Sequence, residues 1–483
     1  MRTPGIGIHR MGWIGVALAG WAGLSAAADP GVRFQPLREG ADDAARTALR
    51  ADLTARMKQP AEEVVADPAS GFFPGAVRPA APRETARVTI DPRRQGWQST
   101  GWYAAPGEPI TIRLPGGWET QGFEVRIGCH TDTLWHLKEW KRPPQISRAF
   151  PLQEVETRAA NAFGGLIYID TRKGTDGAPA EVEIEGAVAA PLYVHGRTSV
   201  EEWRASIRHR PAPWAELATD KIVISIPSEH ARAIEDPVAL MNTWDDVMDA
   251  CADLAAMPRE RKKAERIVPD LQISAGYMHA GYPIMTHADQ FGILGRRDKI
   301  LEGQWGLFHE LGHNHQNRDW TFGGSGEVTV NLFTLYVFER VCGRPIMESR
   351  PEMRPSRRRR MLEDYVNAGS PFEKWKREPF LALVQYVQMI EAFGWDAFKK
   401  CFAVYRELPQ AERPRNDDEK RDQWLVRFSR TVGRDLGPFF LAWGVPVSDR
   451  ARAEAAQFPA WMPVDFPAAP PAVAADAEPA PVS

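Results

Sequence analysis

The feature that most restricts this chain is a pair of histidines four residues apart, His309 and His313, with Glu310 directly after the first. Residues at i and i+4 share one face of an α-helix, so only a helical segment turns this spacing into chemistry. There the two imidazoles reach one metal ion, and the Glu310 carboxylate lies beside a water on that ion. The spacing therefore predicts a helix over 300–316, with Trp305, Phe308 and Leu311 on its apolar side. The chain has 11 histidines in 483 residues, so a chance His-Glu-x-x-His somewhere along it has a probability of roughly 2%. The competing reading is a surface helix with two incidental histidines. The preferred one is a site for a single Zn2+ ion, with His309 and His313 as ligands and Glu310 as the catalytic base.

A catalytic zinc takes three protein ligands and keeps one position open. Three residues compete for the third place. Asp319 lies six residues after His313, but that scheme needs a glycine to bend the chain back, and position 316 is Gln. His315, two residues from His313, falls on a different helix face. Glu327 follows the turn-rich Gly323-Gly324-Ser325-Gly326 and opens an apolar stretch from Val328 to Phe333. The glycines let the chain reverse, so a second helix can pack on the first and present Glu327, the preferred ligand. Asn331, one turn further on, is placed either to hydrogen-bond the outer nitrogen of a ligating His or to bond between helices. Tyr282 and His279 lie in a segment expected to line the cleft. They are candidates for stabilising a developing oxyanion, against the plainer readings of a packed Tyr and a structural His.

The rest of the chain divides by periodicity. Residues 1–28 have the layout of a secretory signal: Arg2 and Arg10, an apolar stretch from Met11 to Leu24, then Ser25-Ala26-Ala27-Ala28 with an Ala-x-Ala cleavage site. The apolar run is short for a spanning helix, which needs about 20 residues. The expectation is an exported protein, periplasmic or extracellular, with no membrane span. Residues 29–90 read as an extension, with a short helical stretch and then Pro- and Ala-rich sequence around Pro74 to Pro82. Period-two alternation begins near 87, as in Ile110-Thr111-Ile112 and Phe123-Glu124-Val125-Arg126-Ile127, and predicts a β-sandwich over 91–205. Helical spacing dominates 206–465, with a small strand region at Ile222 to Ile226 and Asp270 to Ser274. Residues 466–483 read as a disordered Pro/Ala-rich tail.

A net charge of -3 and a pI near 6.5 argue against a nucleic-acid partner. The basic run Arg357 to Arg360 reads as a solvated face. Cys129, Cys251, Cys342 and Cys401 include no Cys-x-x-Cys spacing, which argues against a Cys-based zinc site; an exported compartment permits disulfides, with pairing open.

These residues together resemble the enhancin and enhancin-like family of zinc metallopeptidases. The resemblance is carried by His309, Glu310, His313 and Glu327, by Ser99-Thr100-Gly101-Trp102-Tyr103, by Arg126 through Asp132, by Gly164 through Ile169 and by Met278 through Ile284. It covers about 95 to 450. It implies an α+β, multidomain fold: an N-terminal β-sandwich accessory domain followed by a mostly helical, zincin-type (gluzincin-like) metallopeptidase domain. It also implies an endopeptidase whose partner is a protein or glycoprotein substrate bearing mucin-type O-glycans. Two rivals stand beside this reading: a secreted glycan-binding protein with a structural zinc, which has no use for Glu310 as a base, and a zinc aminopeptidase.

Overall fold

The structure, a computed structural model, describes residues 43–467. The expected signal (1–28), the first part of the extension (29–42) and most of the expected tail (468–483) lie outside the described residues.

The first domain is antiparallel. Its strands are β1 (Glu84–Ile90), β2 (Trp97–Ala104), β3 (Ile110–Arg113), β4 (Glu124–Ile127), β5 (Arg148–Pro151), β6 (Glu156–Ala159), β7 (Gly165–Asp170) and β8 (Ala180–Ala189). They run in the order β5-β4-β7-β2-β8-β3-β6, with β1 also on β8. The long β8 pairs with β1 and β3 through its first part and with β2 at Val188 and Ala189. The sheet thereby closes over one core, in which Ile110, Ile112, Val182 and Ile184 from one layer meet Val125, Ile127, Ile167 and Ile169 from the other. The alternation of buried and half-buried residues along β3 and β4 is the pattern of a sheet with one wet face. The expected domain start at 91 falls just after β1.

The second domain contains a six-stranded mixed sheet, in the order β13-β14-β12-β11-β10-β9: β9 (Leu192–Val194), β10 (Trp214–Ala218), β11 (Ile222–Pro227), β12 (Glu265–Asp270), β13 (Met278–His279) and β14 (Ile284–His287). It is larger than the two strand segments expected from sequence. The second of those, Asp270 to Ser274, is corrected to Glu265–Asp270. All six residues of β12 are buried, so the strand shows no alternation to read. β12 lies parallel to both β11 and β14, whereas the short edge strand β13 runs antiparallel to β14.

Helices supply the rest of this domain. The motif helix, Trp305–His315, packs on the next, Gly326–Arg340. Gly312 makes that close approach feasible, since a Cβ there would meet the Val330 carbonyl oxygen at 2.9 Å. In Gly326–Arg340 every residue from Val328 to Phe338 is buried, the mark of a helix enclosed on all sides. Around this pair stand Pro237–Leu254, Asp417–Val432 and the long Pro379–Glu407, which breaks at Gly394 where φ is 72°.

The described part of the extension fills the seam between domains. Leu53, Val64, Phe73 and Val77 share a core with Tyr103 and Tyr168 of the first sheet and with Trp214, Val268 and Met285 of the second. One buried ion pair crosses the same seam, and a second, within the second domain, reaches over it by hydrogen bonds. Arg142 binds both oxygens of Asp270 at 2.6–2.7 Å, with both side chains fully buried. Arg266 pairs with Glu216, which also accepts from the Tyr168 hydroxyl at 2.9 Å, and reaches Ser99 Oγ at 3.1 Å. Removing one partner from such a pair costs about 3–5 kcal/mol, so these contacts hold the domains in one arrangement.

Candidate metal centre

The motif helix ends at His315, where Gln316 adopts φ -55° and ψ 155°. The chain returns through the glycine turn, with Gly324 at φ 87°, and Ser325 Oγ bonds Phe322 N–H and carbonyl at 2.8 Å. This brings Glu327, in the first turn of the next helix, over the two histidines. His309 Nε2 lies 3.1 Å from Glu327 Oε2 and 3.1 Å from His313 Nε2, and His313 Nε2 lies 3.6 Å from Glu327 Oε1. His309, His313 and Glu327 form a metal-competent group whose donor atoms all lie within 4.8 Å of one another.

Hydrogen bonds fix how these rings are used. Asn331 Nδ2 donates to the Glu327 carbonyl at 2.7 Å, so its Oδ1 faces His309 Nδ1 at 2.8 Å. Gln316 Nε2 donates to the Gly326 carbonyl and Thr329 Oγ1, each at 2.8 Å, so its Oε1 faces His313 Nδ1 at 2.9 Å. Each acceptor requires a proton on Nδ1. The Nε2 lone pairs are thereby left pointing at each other and at a carboxylate, an arrangement of bases that calls for a cation. Zinc fits: bonds of about 2.1 Å at tetrahedral angles set ligand atoms about 3.4 Å apart.

Glu310 lies beside this group and is buried at 7% exposure. Burial raises its carboxyl above the ordinary range, against the pull of His309 and His313.

The remaining sequence-named residues divide sharply. Asn331 meets His309 Nδ1, the contact that an orienting residue would make. His315 is fully buried and faces away; its Nδ1 donates to the Leu311 carbonyl at 2.6 Å and its Nε2 accepts from Arg261 at 3.0 Å. Asp319 is buried near Arg318 and Arg413 at 3.6 and 3.7 Å and does not join the triad. Tyr282 is turned toward the first domain: its hydroxyl accepts from Trp97 N at 3.2 Å, and its ring packs edge-on to Trp97. His279 stands on edge strand β13, with its Nε2 2.8 Å from Asp132 Oδ2 and its Nδ1 3.1 Å from the Ala280 carbonyl. Neither nitrogen is free to meet an oxyanion.

Three residues were missed. Gln316 was read only as a missing glycine, although it lies three residues from His313 on the same helix face. Asn314 clamps the loop after β13, accepting from Gly281 N at 3.1 Å and donating to Gly281 O at 3.0 Å. Asp132 reaches His279 from the first domain, and only the folded chain brings the two together.

A mixed sheet edged by an antiparallel strand, a His-Glu-x-x-His helix beneath it and a glutamate from the following helix define the metallopeptidase class of fold. The chain belongs to the peptidase M60 family, enhancin and enhancin-like, which it matches over residues 186–444. Residues 79–185 match the N-terminal domain of M60-like peptidases. The fold is thus a β-rich N-terminal domain followed by a helical M60 peptidase domain. TRPM8 channel-associated factor 2 of Bos taurus is 39% identical over 373 residues, which are 77% of this chain and 40% of that protein. The chain thus spans well under half the length of that relative. A functionally unknown conserved protein from Bacillus anthracis has the same fold at a TM-score of 0.65 and 23% identity, over 79% of this chain and 80% of that one. The metallopeptidase IMPa from Pseudomonas aeruginosa, solved in complex with an O-glycopeptide, shares it at a TM-score of 0.58 and 19% identity, over 80% and 52%. Among the described residues no helix is long and apolar enough to cross a membrane.

Proposed function

We propose that the protein is an exported, zinc-dependent endopeptidase that cuts the peptide chain of O-glycosylated proteins. The observation that carries this reading is the convergence of His309 Nε2, His313 Nε2 and the Glu327 carboxylate beside the buried Glu310. Zinc, when bound, polarises the scissile carbonyl and acidifies a water. Asn331 and Gln316 hold the two imidazoles with Nε2 toward the ion. Glu310, its basicity increased by burial, takes a proton from the attacking water and returns it to the leaving amine nitrogen. The substrate class is supported by family membership and by the O-glycopeptide bound to IMPa. Export is supported by the layout of residues 1–28.

The relatives named for channel association favour a second reading, a protein-binding module whose metal is structural. A structural site makes no use of a buried base, and Glu310 is one. The deciding experiment is mass spectrometry of products from a mucin-type glycoprotein, with and without prior deglycosylation. Cleavage inside the chain that falls away on deglycosylation supports the proposal. Equal cleavage of both forms removes the glycan from it, and an absence of new termini favours the binding module. A peptide with a blocked N-terminus separates endopeptidase from aminopeptidase.

A further inference from the structure

Gly306, Glu310 and Asn314 stand four residues apart on the motif helix, so they share one stripe of its surface with Glu310 in the middle. That stripe meets the segment of the edge strand β13 at both ends. Gly306 lies against Met278, whose Sδ is 2.8 Å from where a Cβ on Gly306 would stand. Asn314 meets Gly281, two residues beyond the strand: its Oδ1 accepts from Gly281 N at 3.1 Å and its Nδ2 donates to Gly281 O at 3.0 Å. Eight residues of helix advance about 12 Å, and three residues of extended chain advance about 10 Å. Strand and helix therefore run side by side past Glu310 and are pinned together before and after it.

The gripping side chain is itself held. Asn314 Nδ2 also donates to Glu265 Oε2 of β12 at 2.8 Å. Glu265 is buried at 5% exposure, and Arg261 Nη2 donates to its other oxygen. A carboxylate paired in this way only accepts, so this bond decides which end of the amide is which and turns Oδ1 toward Gly281 N. Both amide hydrogens of Asn314 and its oxygen are thus committed. Tyr282 ties the loop to the first domain through Trp97. Among the described residues, only Asn314 ties it to the motif helix by hydrogen bonds.

Among the described residues β13 pairs with β14 along one edge and with no strand along the other. An unpaired edge takes an extended peptide as an added strand, with main-chain hydrogen bonds for affinity. An edge fixed beforehand costs the incoming chain no ordering. A loose one lowers the apparent affinity by the fraction of molecules in which it is competent.

The geometry points to Asn314 as a positioning residue for the peptidase site, one that fixes the edge strand β13 against the motif helix before substrate arrives. The inference rests on the peptidase reading of the site. It gives the residue directly after the ligand His313 a part in holding the edge that receives the substrate chain, and no part in holding the metal.

The test uses the full chain with Asn314→Ala and Asn314→Asp. The second variant keeps an acceptor for Gly281 N, loses both donors and sets a carboxylate against Glu265. In both, amide exchange followed by mass spectrometry should quicken across 278–284 and stay as in wild type across 305–312, with zinc content and circular dichroism unchanged. On a glycopeptide that the wild type cuts, KM should rise about tenfold, the worth of one or two ordinary hydrogen bonds. At the same time kcat should stay within about threefold, because a substrate that has ordered the edge reacts as before. A KM within about twofold of wild type, a loss confined to kcat, or unchanged exchange across 278–284 overturns the proposal. So does a loss of zinc, which would place Asn314 with the ligands. A wild type that holds no zinc or cuts nothing strikes the peptidase reading instead, and the exchange rates still decide whether Asn314 holds the edge.

Discussion

Gln316 Oε1 accepts from His313 Nδ1 at 2.9 Å, while the same side chain donates to the Gly326 carbonyl and to Thr329 Oγ1. One amide thus joins the end of the motif helix to the start of the helix that carries Glu327. It sets the ring of one ligand and the distance to another at once, and Asn331 does the same for His309 from the opposite side.

Gln316→Ala should therefore weaken zinc binding without unfolding the protein. Residues that orient a ligating imidazole contribute about 10- to 100-fold in metal affinity. Competition with a chromophoric chelator should show a loss in that range, with circular dichroism unchanged. Affinity within about twofold of wild type would mean that the contact is incidental.

The third ligand should be Glu327. Glu327→Ala removes a carboxylate that reaches both imidazoles, and metal analysis after dialysis should find the zinc largely lost. Asp319→Ala should keep its zinc, because Asp319 is buried against Arg318 and Arg413 instead. The reverse pattern would show that the chain rearranges to use Asp319.

His315 should make the protein sensitive to acid. It is fully buried and neutral, with its carbon-bound surroundings and Arg261 pushing its pKa down to about 4. An unfolded imidazole binds a proton below about pH 6.5. Between pH 6.5 and 4 the unfolded state thus holds more protons, and acidification favours it. Between pH 7 and pH 5 this group should withdraw about 2 kcal/mol of stability, from the same linkage. The readout is the stability difference between wild type and His315→Gln from urea titrations, which should shrink by that amount on going from pH 7 to pH 5. A difference that does not change with pH would show that His315 is not held neutral.

What was legible in the sequence follows from range. The His309–His313 spacing and the glycine turn before Glu327 are local, and local geometry decided both. β3 and β4 alternate because one face is wet, so the sandwich could be read. β12 is buried on both faces and contains Pro269, and nothing in its pattern marked it as a strand. Asp132 and His279 are separated by 147 residues, and Tyr282 reaches Trp97 across 185. No periodicity reports such pairs. Tyr282 and His279 were read from a segment expected to line the cleft, and what their polar atoms do depends on a domain packed from elsewhere in the chain.

The sharpest prediction concerns Glu310. Glu310→Gln should abolish peptide cleavage while leaving zinc and fold in place. The amide has nearly the shape of the carboxyl, so packing in this buried position changes little. His309, His313 and Glu327 keep their atoms, and Asn331 and Gln316 keep their hold on the rings, so metal content should match wild type. What disappears is the base. An amide cannot accept the water's proton at neutral pH or return it to the leaving amine. General acid–base catalysis contributes typically about 10²–10⁴-fold, and one group serving both steps places the loss at the upper end or beyond. Activity should be followed on a glycopeptide that the wild type cuts, with zinc measured on the same samples. A zinc-loaded Glu310→Gln protein cleaving within about tenfold of wild type would contradict the assignment, given that range. Because His315 is buried behind the helix with both nitrogens engaged, it could not stand in, and the base would have to come from outside this cluster.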